Sequence, residues 1–122
     1  PKFIAIVGGE PTDQLDGLKE LSKRLKDHGY NIVLFSWHDV DWFKSMFTSN
    51  ELNNFDLIVT GPYDETERIY DTSATDGIRN SIGSGNQHAF FPKEQKDYRV
   101  STLASIVAHE DGSFTVICKG DE

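Results

Sequence analysis

Cysteine is nearly absent from the chain: Cys118 is the only one in 122 residues. A lone thiol excludes an internal disulfide and fits a reducing compartment, so a cytoplasmic location is expected. Long apolar runs are missing as well. None approaches the about 20 residues that a membrane helix needs, and no membrane partner is expected. The first residues lack the basic, apolar and small-residue succession of a secretory signal. Basic residues are scarce, with 12 Lys and Arg against 20 Asp and Glu, a formal net charge of −8. Binding DNA or RNA through phosphates needs a basic face, so direct nucleic-acid contact is not expected. The acidic excess favours solubility instead. His28, His38, His88 and His109 are scattered without metal-ligand spacing. Neither a metal nor a cofactor is expected from them.

What the chain does have is a foldable balance, 37% hydrophobic and 26% charged. Its length suits one domain, residues 1–122. Lys2 to Val7 reads as a buried strand that stops at Gly8-Gly9. Pro11-Thr12-Asp13 opens a helix, with Thr available as a cap. Leu15, Leu18, Leu21 and Leu25 carry its apolar face, and His28-Gly29 ends it. Asn31 to Trp37 reads as a second strand, Asp39 to Phe47 as a second helix, and Thr48 to Asn54 as a loop or helix end. Asp56 to Thr60 reads as a third strand, stopped by Gly61-Pro62. Glu67 to Tyr70 is expected to be a short strand, Asp71 to Asn80 an irregular connection, and Ser81 to Gly83 the close of a strand. Beyond the charged stretch 92–97, Leu103 to Ala108 is either a helix or one arm of a hairpin turned at Asp111-Gly112.

Two architectures compete. The first half reads β-α-β-α-β, a nucleotide-fold pattern. The hairpin signals of the second half favour an α+β sheet with helices packed on it.

The segment Ser81-Ile82-Gly83-Ser84-Gly85-Asn86-Gln87-His88 reads as a strand that bends sharply into a helix. Gly83 and Gly85 are candidates for a ligand-binding turn, with Ser84 exposed at a helix start. The lysine of a phosphate loop and the third glycine of a dinucleotide fingerprint are both missing. Gly8 and Gly9 form a second candidate turn, next to Glu10, which disfavours phosphate. Pro1 has an amine able to act as a base if buried, although loss of an initiator methionine explains it more simply. Trp37, Trp42, Phe43, Met46 and Phe47 form an aromatic patch suited to a core or to an interface. Cys118 reads as a core residue.

Three ordered blocks resemble the HslV and proteasome-like family of the Ntn-hydrolase superfamily, including its phage relatives: Lys2 to Asp13, Asp56 to Gly61, and Ile82-Gly83-Ser84-Gly85 followed by His88-Ala89. Asp111 to Ile117 also fits that family's closing strand. The resemblance implies an α+β Ntn-hydrolase-like sheet that lacks its N-terminal strands. It gives Ser84 a supporting role beside an N-terminal amine. The N-terminal Thr nucleophile has no counterpart, because the chain starts at Pro1. The resemblance therefore implies a non-catalytic domain acting through protein–protein interaction or self-association. The alternatives are a small Rossmann-like nucleotide- or ligand-binding module, and a fragment of a threonine peptidase whose nucleophile lies elsewhere.

Overall fold

A computed structural model of the protein describes residues 2–67 and 84–119. Strand β1 (Lys2–Ile6) leads through a 3₁₀ turn (Pro11–Gln14) into helix α1 (Leu15–Asp27) and back to β2 (Tyr30–Phe35). Helices α2 (Val40–Met46) and α3 (Ser49–Leu52) then return the chain to β3 (Leu57–Thr60). Strands β4 (His88–Phe91) and β5 (Lys96–Arg99) complete a five-stranded sheet in sequence order. The hairpin β6 (Leu103–Ala108) and β7 (Phe114–Cys118) forms a separate two-stranded sheet.

The sheet is parallel in its first half and antiparallel in its second. β1 pairs with β2, and β2 with β3, in parallel; β3 pairs with β4, and β4 with β5, antiparallel. Parallel neighbours need a crossover long enough to return the chain to the same end. α1 provides the first and the α2–α3 pair the second. The β-α-β-α-β order expected for the first half is present, and the tail takes the hairpin alternative, turned at Asp111-Gly112.

Alternation along the strands splits the core in two. Ile32, Leu34, Ile58 and Phe90 point to one face, where Leu18 of α1, Phe43 of α2, Phe47 just after it, and Leu52 and Phe55 cover them. Val33, Leu57, Val59, Ala89 and Phe91 point to the other, where Leu103 and Ile106 of β6 close over them. β2 and β3 are consequently buried on both sides, as apolar parallel strands are. Phe43, Phe55 and Phe90 are fully buried, each contributing about 1.5–3 kcal/mol.

Local chemistry sets the helix ends. Asp39 caps α2 by accepting from the Trp42 N–H at 2.8 Å. Thr48 and Glu51 form a capping box that makes α3 a real helical turn, where a loop was the alternative. Gly29, with φ of +85°, takes the left-handed turn after α1 that a side chain would resist.

At the amino ends of β2 and β3 sits a buried carboxylate, Asp56. It accepts from the Ile32 N–H at 2.7 Å, from Lys26 Nζ at 2.9 Å and from Lys93 Nζ at 2.8 Å. It ties α1, β2 and the β4–β5 turn together at one point.

The region around Gly83 differs from expectation. β4 comes directly after the Gly-Ser-Gly bend, so no helix starts there. In the charged stretch 92–97, residues 93–97 are exposed, and Lys96 and Asp97 belong to β5. Gly83, the strand expected to close there and the segment 68–80 lie outside the described residues, as does Pro1. Glu67 falls in a 3₁₀ turn, Glu65–Glu67. Among the described residues no helix is long and apolar enough to cross a membrane.

Candidate functional site

Because β1, β2 and β3 run parallel, their carboxyl ends open on one edge of the sheet. Ligands of open α/β sheets sit outside such ends, where loops diverge and backbone groups are free. Here the edge consists of Val7-Gly8-Gly9-Glu10 after β1, Ser36-Trp37-His38 after β2 and Gly61-Pro62 after β3.

Glu10 organises this edge. Its residue is only 8% exposed. Oε2 accepts from the Thr12 N–H at 3.1 Å, the Thr12 hydroxyl at 2.6 Å and the Ser36 hydroxyl at 2.9 Å. Oε1 accepts from the Trp37 N–H at 2.8 Å. One carboxylate therefore caps the 3₁₀ turn and pins the β2 exit to the β1 exit. Burial pushes its pKa up, but the hydrogen bonds from Thr12, Trp37 and Ser36 outweigh burial and hold it below the ordinary value. Two carboxylate oxygens offer about four acceptor positions. Counted per oxygen, about two positions each, Oε2 is crowded by three donors and Oε1 holds one, so the spare position is on Oε1.

Beside Glu10 lies a cleft of about 540 Å³. Gly8 and Gly9 form its floor in left-handed backbone, at φ of +91° and +32°. Space above both is open: a Cβ there would meet nothing within 4 Å. Ile6, Val7, Leu18 and Leu21 give an apolar wall, and Glu10, Asp13 and Gln14 give the polar groups. Among the described residues no lysine, arginine or histidine lines it. A nucleotide phosphate would find no cation among these lining residues.

The Gly-Ser-Gly segment plays another part. Ser84 is fully buried. Its Oγ accepts from the Asp64 N–H at 2.9 Å and donates to Asn86 Oδ1. Its N–H donates to Gln87 Oε1 at 3.0 Å, while Gln87 Nε2 and Asn86 Nδ2 donate to the carbonyls of Gly61 and Pro62. Gly85 donates to the Glu67 carbonyl at 2.7 Å. Ser84 through Gln87 thus form a knot that fixes the exit of β3 and leaves no hydroxyl free. Of the residues singled out in the sequence, Gly8 and Gly9 share the strand-end cleft, and Ser84 and Gly85 belong to the knot. The aromatic patch divides: Phe43 and Phe47 are core, His38 stacks on Trp42 at 3.7 Å, and Trp37 and Met46 stay exposed.

Glu10, Thr12 and Ser36 were missed as a unit. The available signal was a carboxylate directly after a strand-ending Gly-Gly turn with a hydroxyl two residues on. The Ser36 contact spans 26 positions and exists only once β1 and β2 pair.

Residues 2–89 match the family model of the 4Fe-4S single cluster domain. The chain belongs to that family. No curated protein and no solved structure matches it. Membership overturns the resemblance to the HslV and proteasome-like family, and with it the reading as a non-catalytic proteasome-like assembly domain or a threonine-peptidase fragment. The supporting role for Ser84 rested on that resemblance and falls with it. The misreading has a physical source: short apolar strands ending in glycine, and a Gly-Ser-Gly corner, are backbone solutions shared by unrelated sheets.

The family's cluster is a group that four cysteine thiolates ordinarily hold. The matched residues contain no cysteine, and Cys118 lies beyond them in β7. Among the described residues no three His, Cys, Asp or Glu side chains stand close enough to hold a metal. The residues of this chain therefore do not fit the cluster.

Proposed function

We propose that this member of the 4Fe-4S single cluster domain family serves redox chemistry by holding a small ligand in its strand-end cleft. The ligand carries an ammonium or similar cation and an apolar portion. One observation carries the reading: the cleft joins a buried, well-anchored carboxylate to an apolar wall, with no basic side chain among the described residues that line it. Glu10 meets the cation, with Oε1 as the remaining acceptor. Gly8 and Gly9 let the ligand approach the backbone closely. Ile6, Val7, Leu18 and Leu21 cover its apolar part. Family membership supports the redox setting.

The test is thermal unfolding with L-leucinamide, which is cationic and apolar, against N-acetyl-leucinamide, its uncharged counterpart. At ten times Kd a ligand of the folded state stabilises by about 1.4 kcal/mol. Leucinamide is expected to raise Tm, and the acetylated compound is not. Equal responses to both, or none to either at high concentration, would overturn the reading.

A further inference from the structure

The fold does not explain Gly17. It lies inside α1, in helical backbone that any residue adopts, and glycine ranks below every residue but proline as a helix former. No neighbour demands it either, because a Cβ there would meet nothing within 4 Å. Gly8 and Gly9 differ: their left-handed backbone calls for glycine whatever lies above them. What Gly17 does face is the strand-end cleft, which it lines.

The cleft has a direction. Gln14, just before α1, and Gly17, Leu18 and Leu21 within it all line the cleft. They recur at i, i+3, i+4 and i+7, one stripe of a helix. At 1.5 Å per residue the stripe is about 10 Å long. β1 and β2 are parallel, so α1 between them runs back along the sheet. The stripe therefore leads away from the carboxyl edge, where Glu10 sits. The result is a groove with a buried carboxylate at its head and Gly17 midway. Val7 near the head, 63% exposed, and Leu21 at the far end, 47% exposed, leave apolar surface open to a ligand. A side chain at position 17 would stand in the middle of the groove. With C–C bonds of about 1.5 Å, an extended chain of about eight carbons spans it.

We infer that the cleft selects a straight-chain aliphatic primary amine of up to about eight carbons, and that Gly17 sets the length of chain it accepts. The inference rests on the cation site proposed at Glu10 and adds the shape of the apolar portion. The ammonium meets Glu10 Oε1, the chain lies over Gly17, and its end reaches Leu21. A compact side chain such as leucine's fills only the head of the groove.

Calorimetric titration of residues 1–122 with ethyl-, butyl-, hexyl-, octyl- and decylammonium chloride tests this. Affinity is expected to rise about fourfold for each methylene buried, up to the octyl compound, and to level off at decyl as the chain passes Leu21. Gly17→Leu is expected to leave the Tm of the free protein no lower and to flatten the series beyond butyl. Octylammonium bound no more tightly than butylammonium by the wild-type chain would overturn the inference. So would a folded Gly17→Leu variant with the wild-type series. If that variant does not fold, the wild-type series decides alone. A response to leucinamide without dependence on chain length removes this inference and leaves the Glu10 reading standing. No response to leucinamide or to any of the amines removes both.

Discussion

Replacing Glu10 by Gln changes one atom's chemistry at the point where three segments meet. The carboxylate now accepts four hydrogen bonds, three at Oε2 and one at Oε1. An amide keeps one acceptor, which can hold the Thr12 and Ser36 donors. Its NH₂ group then faces the Trp37 N–H, donor against donor. A bond to a charged acceptor is worth about 1.5–3 kcal/mol, and an orphaned donor costs about 1–3 kcal/mol. The donor at Trp37 is partly reached by water, so Glu10→Gln is expected to destabilise by about 2–3 kcal/mol, and Glu10→Ala by roughly 3–4 kcal/mol. Urea unfolding at neutral pH measures both. The wild-type protein also carries a pH signature. Glu10 titrates below its ordinary value of 4.5 in the folded state. Its contribution is complete above the unfolded value and is lost as pH falls through the lower folded one. As pH falls below about 4.5 and through the lower folded value, the wild-type protein should lose stability that Glu10→Gln does not have to lose, and the gap between them should narrow. A Glu10→Gln variant within 0.5 kcal/mol of wild type at pH 7, or a constant gap down to pH 3, would refute the clamp.

Asp56→Ala leaves Lys26 and the Ile32 N–H without their buried acceptor and should cost about 3–5 kcal/mol in urea unfolding. Lys93→Ala removes a half-exposed partner of the same carboxylate and should cost no more than about 1 kcal/mol. Gly112→Ala meets a left-handed backbone of +88° and places a Cβ 2.8 Å from Asn31 Oδ1. It should lower stability by about 1–3 kcal/mol, whereas Gly17→Ala, with open space around it in α1, should raise it by about 0.5–1 kcal/mol. Ser84→Ala should cost about 1–3 kcal/mol by orphaning the Asp64 N–H, and it should leave leucinamide binding intact.

Local signals carried the first half of the fold. Leucine spacing and a terminal glycine marked α1, and the apolar runs before Gly8 and Gly61 marked β1 and β3. The tail was ambiguous because Leu103 to Ala108 alternates too weakly to exclude a helix; only pairing with Phe114 to Cys118 decides it. The Gly-Ser-Gly bend misled because glycine announces a turn without specifying the element beyond it. That element is a strand, held by Gln87 and Asn86 reaching back to Gly61 and Pro62 across about two dozen residues. Gly8 and Gly9 were legible as a turn that could meet a ligand. Glu10 was read only as a charge hostile to phosphate. Its use as a clamp depends on Ser36 and Trp37, which are remote in sequence. The family itself was hidden for a chemical reason: the residues that announce an iron–sulfur protein are cysteines, and residues 2–89 contain none.

The most direct test of the account is the iron and acid-labile sulfide content of residues 1–122 after anaerobic reconstitution with ferrous iron and sulfide. A fold of the 4Fe-4S single cluster domain family with one cysteine outside the matched segment should retain far less than one cluster per chain after desalting. Four irons and four sulfides per chain, with the visible absorption of a thiolate-bound cluster, would contradict it.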